Sequence, residues 1–176
     1  MTPYHIGVAL FALSFQIING IAIGGWLGGY GPTSPSDWSW DGRGVNGRGQ
    51  VPIYLGTALW TAGFAANIYH DGILRDIRRQ PQDQGKEKTD RRVEKRYEIP
   101  KGGLFKYVFF PHYFTEWIEW IGWWIIGGWN CAPARIFLIN EISTMLPRAL
   151  AGRRWYVRRF GEERCKGKKA VVPGLV

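Results

Sequence analysis

Asn67 and Asp71 lie four residues apart, and Arg75 and Arg78 continue the same helical face at spacings of four and three. Such a ladder of amide, carboxylate and guanidinium groups suits a polar, anion-bearing ligand. It equally suits a solvated helix end, where an exposed Asp71–Arg75 pair is worth only about a few tenths of a kcal/mol. A second ladder, His112, Glu116 and Glu119, has spacings of four and three among Trp117, Trp120, Trp123 and Trp124. Carboxylates in so apolar a segment are costly and mark a polar cavity rather than a lipid-facing surface. One His with two Glu is a conceivable metal set, but no second HxxE or HxxxH pattern completes it, so no metal is expected. Further on, Arg148 follows Pro147, and Tyr156 lies eight residues later, near two helical turns and hence on the same side. Arg148 can clamp a phosphate bidentately, or it can anchor the chain beside Arg153, Arg154, Arg158 and Arg159 as a partner of water and lipid headgroups.

The elements that must position these residues follow from the distribution of charge. Lys and Arg number 23 against 14 Asp and Glu, yet the first charged residue is Asp37. Tyr4 to Tyr30 therefore reads as a transmembrane helix, at about 1.5 Å per residue long enough for the roughly 30 Å of a bilayer core. Its glycines Gly20, Gly24, Gly25, Gly28 and Gly29 suggest a face for close helix packing. Residues 31–50 form a polar loop rich in Pro and Gly. Val51 to Tyr69 holds 19 residues without a charge and predicts a second span. Asp71 to Lys106 carries eleven cations and seven acids, with a charged cytosolic insertion at 80–96, and ends in the Pro/Gly turn of Tyr97 to Gly103. The interleaved acids argue against a nucleic-acid partner.

The 15 uncharged residues from Trp120 to Ala134 are too few to span alone. They predict a hairpin: one helix from about Tyr113 to Trp129, a turn near Asn130 to Pro133, and a return helix ending near Leu150. A basic tail at 151–176 follows. The positive-inside rule places the two basic regions in the cytosol and the neutral loop at 31–50 across the membrane. The fold expected is an all-α polytopic membrane helix bundle of about four transmembrane helices, forming a single domain over residues 1–176. Two cysteines, Cys131 and Cys165, are too few for a disulfide framework. The polar ladders all sit where helices meet the cytosol, as a phosphate-bearing soluble cofactor meeting a lipid-dissolved substrate requires. No GxGxxG follows a strand, which removes a Rossmann pocket.

Longer strings carry a resemblance. Asn67-Ile68-Tyr69-His70-Asp71, Ile73-Leu74-Arg75 with Arg78, Tyr97 through Phe105, Pro111-His112-Tyr113-Phe114, Glu116, Glu119-Trp120, Arg148, Trp155-Tyr156 and Lys168 through Pro173 together resemble the C-terminal domain of the steroid 5-alpha-reductases. Asn19-Gly20 resembles the asparagine-glycine pair of an earlier helix in that family. The resemblance implies an endoplasmic-reticulum enzyme that uses NADPH to reduce the 4,5 double bond of a 3-oxo-4-ene steroid, with hydride to C5 and a proton to C4. It implies that Asn67, Asp71, Arg75, Arg78, Tyr97, His112, Glu116, Arg148 and Tyr156 hold the cofactor's amide, ribose and phosphate groups. His112 stands where many relatives have Asn, and still donates one hydrogen bond; Thr115 stands where many have Gly.

The family fold has seven membrane helices, and this chain is similar to the last four. The catalytic Glu and Tyr that polarise the 3-oxo group are thus expected in helices that the chain does not include. Partners implied are a steroid or other lipid substrate and membrane lipids. Alternatives are a long-chain enoyl-CoA or polyprenol reductase of the same superfamily, an isoprenylcysteine-type methyltransferase binding S-adenosylmethionine, or an inactive membrane remnant.

Overall fold

The computed structural model describes residues 6–31, 51–79, 97–128 and 130–176, with the side chains of Arg78 and Arg79 excepted. The polar loop expected at 31–50, apart from Gly31, and the charged insertion expected at 80–96 lie outside the described residues.

The architecture is all-α, as the patterning predicts. Helix α1, Ile6–Gly25, runs on into a π-helical turn at Trp26–Tyr30; α2 covers Val51–Arg79, α3 Pro111–Gly127, α4 Ala132–Phe160 and α5 Glu162–Cys165, with a short 3-10 turn at Gly103–Lys106. Among the described residues one helical stretch, Ile6–Tyr30, is long and apolar enough to cross a membrane by length and composition alone. Helices α2 and α4 have 29 residues each and α3 has 17. Helix α3 is short, α4 carries Arg135, Glu141 and Arg148, and the uncharged first part of α2 is diluted by Pro52, Gly56, Gly63 and Asn67.

Two boundaries differ from expectation for local reasons. Helix α3 begins at Pro111, because proline at the first helical position gives up no hydrogen bond and its fixed φ already suits the helix. Helix α4 does not stop near Leu150 but continues to Phe160 with Pro147 inside it. Residues 151–160 are therefore helix, and the basic tail proper starts after Gly161. That glycine, at φ 86°, supplies the left-handed residue that closes α4, with its N–H on Val157 O at 3.0 Å.

By contacts the chain groups into two compact units, one of Met1–Thr61 with Trp117–Ile142, the other of Ala62–Glu116 with Ser143–Val176. In the first unit α2 and α3 cross at two glycines. A Cβ on Gly56 would stand 2.6 Å from Gly122 O, and one on Gly122 would stand 2.5 Å from Trp60 N. Only hydrogen allows that approach, the small-residue contact by which helices associate where no hydrophobic gradient drives them together. Around it Trp120 lies against Phe137 with ring centroids 3.8 Å apart, and Phe137 also meets Phe15 at 5.8 Å. Helix α1 buries none of its residues. The expectation that its glycine face packs on another helix is not met among the described residues, since nothing lies within 4 Å of a Cβ at Gly20, Gly24, Gly28 or Gly29.

The second unit has a compact core of Phe105, Val108, Phe109, Ala149, Ala170 and Val171. Its C-terminal segment folds back beside residues 107–110 through a parallel bridge between Val108 and Lys169. Phe109 N donates to Lys169 O, Phe110 N to Ala170 O, both at 3.0 Å, and Lys169 N donates to Tyr107 O at 2.8 Å. At Gly152 of α4 a Cβ would collide with the Phe110 ring, so the helix can seat against this segment only with glycine there.

Candidate functional site

All nine residues proposed from the sequence to bind a cofactor fall within the second unit. Asn67 on α2 and Glu116 on α3 are both half-buried, and their side chains are hydrogen-bonded. They are 49 positions apart in sequence and belong to different ladders, so this pairing is a product of helix packing. One turn along α2, Arg75 Nη2 donates to Asp71 Oδ2 at 2.6 Å, the i,i+4 ion pair that the spacing predicts. Both ends of that pair are well exposed, so its contribution to stability is small. Arg78 lies on the last turn of α2, its side chain outside the described residues.

The remaining members are arranged by aromatic contacts. Tyr156 stacks on Phe109 at 4.7 Å and on Phe160 at 5.9 Å. Its neighbour Trp155 meets the exposed Tyr97 edge-on at 5.1 Å. His112 sits edge-on to Tyr113 at 4.5 Å and to Phe110 at 6.0 Å, and its carbonyl accepts from Thr115 Oγ1 at 3.1 Å. Arg148 is exposed on α4, one residue after Pro147. The structure thus joins Asn67 to Glu116, Asp71 to Arg75, and Tyr97 to Tyr156 by way of Trp155.

Two features of this unit escaped the sequence. The first is His70, quoted above only as part of a string, which is buried at 3% exposure. Its Nε2 accepts from Leu104 N at 3.0 Å and its Nδ1 lies 2.6 Å from Ala66 O. A backbone N–H can only donate, so Nε2 is the bare nitrogen, Nδ1 carries the proton, and the ring is neutral. His70 thereby ties α2 to the Gly102-Gly103 turn. At φ 48° and with His70 Nε2 only 2.8 Å from where a Cβ would be, Gly103 tolerates no side chain. The second is a cavity of about 810 Å³ beside that turn, into which Lys101, Lys106, Arg164 and Lys168 converge. None of the nine expected cofactor residues lines it. Its cations come from two stretches some sixty residues apart, and no single-window pattern connects them.

Comparison with known proteins places the sequence in a family. The sequence model of 3-oxo-5-alpha-steroid 4-dehydrogenase matches residues 2–176. The steroid 5-alpha-reductase DET2 of Solanum lycopersicum is 30% identical over 172 residues, covering 98% of this chain and 57% of that protein. The 3-oxo-5-alpha-steroid 4-dehydrogenase 1 of Rattus norvegicus is 37% identical over 123 residues, 69% of this chain and 42% of its own length. An uncharacterised protein of Schizosaccharomyces pombe is 34% identical across the whole chain and 59% of its own length. The chain spans less than two thirds of each of these relatives. On the match of the family model and the identity to its members, the chain belongs to the 3-oxo-5-alpha-steroid 4-dehydrogenase family.

Proposed function

We propose that this chain is the cofactor-binding part of an NADPH-dependent reductase of the endoplasmic-reticulum membrane, acting on the 4,5 double bond of a 3-oxo-4-ene steroid. The observation that carries the reading is the Asn67–Glu116 hydrogen bond in a chain of this family. An amide and a carboxylate held side by side on two helices keep a free N–H and free oxygen lone pairs, the complement of a primary carboxamide such as the nicotinamide's.

In this reading Asn67 and Glu116 orient the nicotinamide amide, and Asp71 accepts from a ribose hydroxyl. Arg75, Arg78 and Arg148 meet the phosphates, where guanidinium forks bind two oxygens at once. Tyr156, its ring fixed by stacking on Phe109, presents a hydroxyl from a rigid support, and Tyr97 and His112 add donors at the rim. NADPH supplies the hydride delivered to C5, and a proton is delivered to C4. The groups that polarise the ketone are assigned to a part of the enzyme outside these nine residues.

Titrating purified chain in detergent with NADPH, followed by nicotinamide fluorescence, tests the reading. Saturable binding is expected, weakened about tenfold in Asn67→Ala and in Glu116→Gln, as the loss of one hydrogen bond to a charged or amide group implies. Binding of S-adenosylmethionine alone, or of neither compound, overturns it.

A further inference from the structure

The cavity beside the Gly102-Gly103 turn has a composition that the proposed cofactor site does not use. Its cations are Lys101, Lys106, Arg164 and Lys168 and its carboxylate is Glu98, four positive charges against one negative. Ile99, Phe105 and Phe160 supply an apolar wall. Its volume of about 810 Å³ falls in the range of roughly 300–1,000 Å³ typical of small-molecule sites.

The walls are held in place independently of any ligand. The turn is pinned by Leu104 N on His70 Nε2 at 3.0 Å. Lys168 Nζ donates to Pro100 O at 3.2 Å and lies 5.5 Å from the centre of the Phe109 ring. Arg153 Nε donates to Lys168 O at 3.1 Å, which ties α4 to the segment that carries Lys168. Burial holds the Lys168 ammonium below its ordinary pKa, partly opposed by Cys165, with Lys101 adding a smaller lowering effect. Keeping the Lys168 ammonium charged in the fold therefore carries a cost, which an entering anion offsets.

We propose that this cavity binds a phosphate ester, its phosphate on Lys101, Lys106, Arg164 and Lys168 and its organic part against Ile99, Phe105 and Phe160. A metal cation is repelled by the charge, and inorganic phosphate alone leaves the apolar wall unfilled. The same chemistry is offered by the headgroup of an anionic phospholipid and by a small phosphate ester in solution.

The test uses the whole chain in phosphatidylcholine nanodiscs, with and without phosphatidic acid, and separately with added glycerol 3-phosphate. Protection of Lys101 and Lys168 from amine acylation is read by mass spectrometry. Saturable protection is expected, with apparent affinity lowered about tenfold or more in the double variant Lys101→Gln, Arg164→Gln. Both side chains are exposed, so the variant folds, and NADPH titration of the same preparation checks this independently of the cavity. The control double variant Arg158→Gln, Arg159→Gln removes the same charge from outside the cavity and leaves protection unchanged. Protection by phosphatidic acid alone assigns a lipid headgroup, and protection by glycerol 3-phosphate assigns a soluble ester. No protection by either, or an equal loss in the control, overturns the proposal. Loss of NADPH binding in Glu116→Gln leaves it standing.

Discussion

His70 shows how much a single side chain can organise when its two nitrogens have opposite duties. Its Nε2 takes the part-buried Leu104 N–H. Replacing it with Ala leaves that donor unmet at about 1–3 kcal/mol. At roughly 2–4 °C per kcal/mol for a chain of this size, the thermal midpoint in detergent falls by several degrees. His70→Gln restores an acceptor and loses less; equal loss in both variants would show that packing, not the hydrogen bond, is what matters. Lys168 makes a second prediction at this scale. Its pKa lies below the ordinary 10.5 because burial disfavours the ammonium. Between the lowered value and 10.5 the unfolded chain holds more protons than the folded one, so this group makes stability rise with pH across that window. Acylation of Lys168 accordingly reaches its half-maximal rate at lower pH in the folded chain than in the same chain unfolded in denaturant, as site-resolved mass spectrometry measures.

At the scale of elements, the glycines divide by what surrounds them rather than by their spacing. Gly20, Gly24 and Gly28 repeat at four-residue intervals along α1 and its π-helical continuation and have nothing near them, whereas Gly56 and Gly122 belong to no such repeat and meet backbone to backbone. Gly122→Val must force α2 and α3 apart, since the atoms in the way belong to the main chain, and a cost of about 1–3 kcal/mol follows. Gly20→Ala changes stability by no more than about 0.5 kcal/mol. Thermal scans of both variants check the pair, and similar shifts would mean that the crossing is not held by contact at Gly122. The sequence does foretell α1 and the start of α2, where uncharged runs decide. It misplaces the end of α4, because Pro147 and the arginines after it read locally as a helix stop. Packing of Phe110 on Gly152 and the Arg153 hydrogen bond to Lys168 O carry the helix onward.

For the whole molecule, charge asymmetry predicts sidedness. On the proposed orientation, in which the positive-inside rule keeps both basic regions in the cytosol, glycosylation acceptor sites placed within 31–50 are expected to be modified in microsomes, and sites placed within 80–96 or after Val176 are not. Modification at the C-terminal site would reverse the orientation and remove the proposed ligands from a cytosolic cofactor.

What the sequence alone determined is local or compositional. Uncharged stretches of membrane length, turn residues at Gly102 and Gly103, and i,i+4 pairs such as Asp71 and Arg75 are visible because the interacting atoms are neighbours along the chain. The long strings shared with a family placed its fold. Only the tertiary structure decided that Glu116 answers Asn67, that His70 is a neutral strut, and that four cations from opposite ends of a unit face one hollow. Those partners are separated by tens of residues, and their meeting depends on how the elements of one unit pack together, which no periodicity encodes.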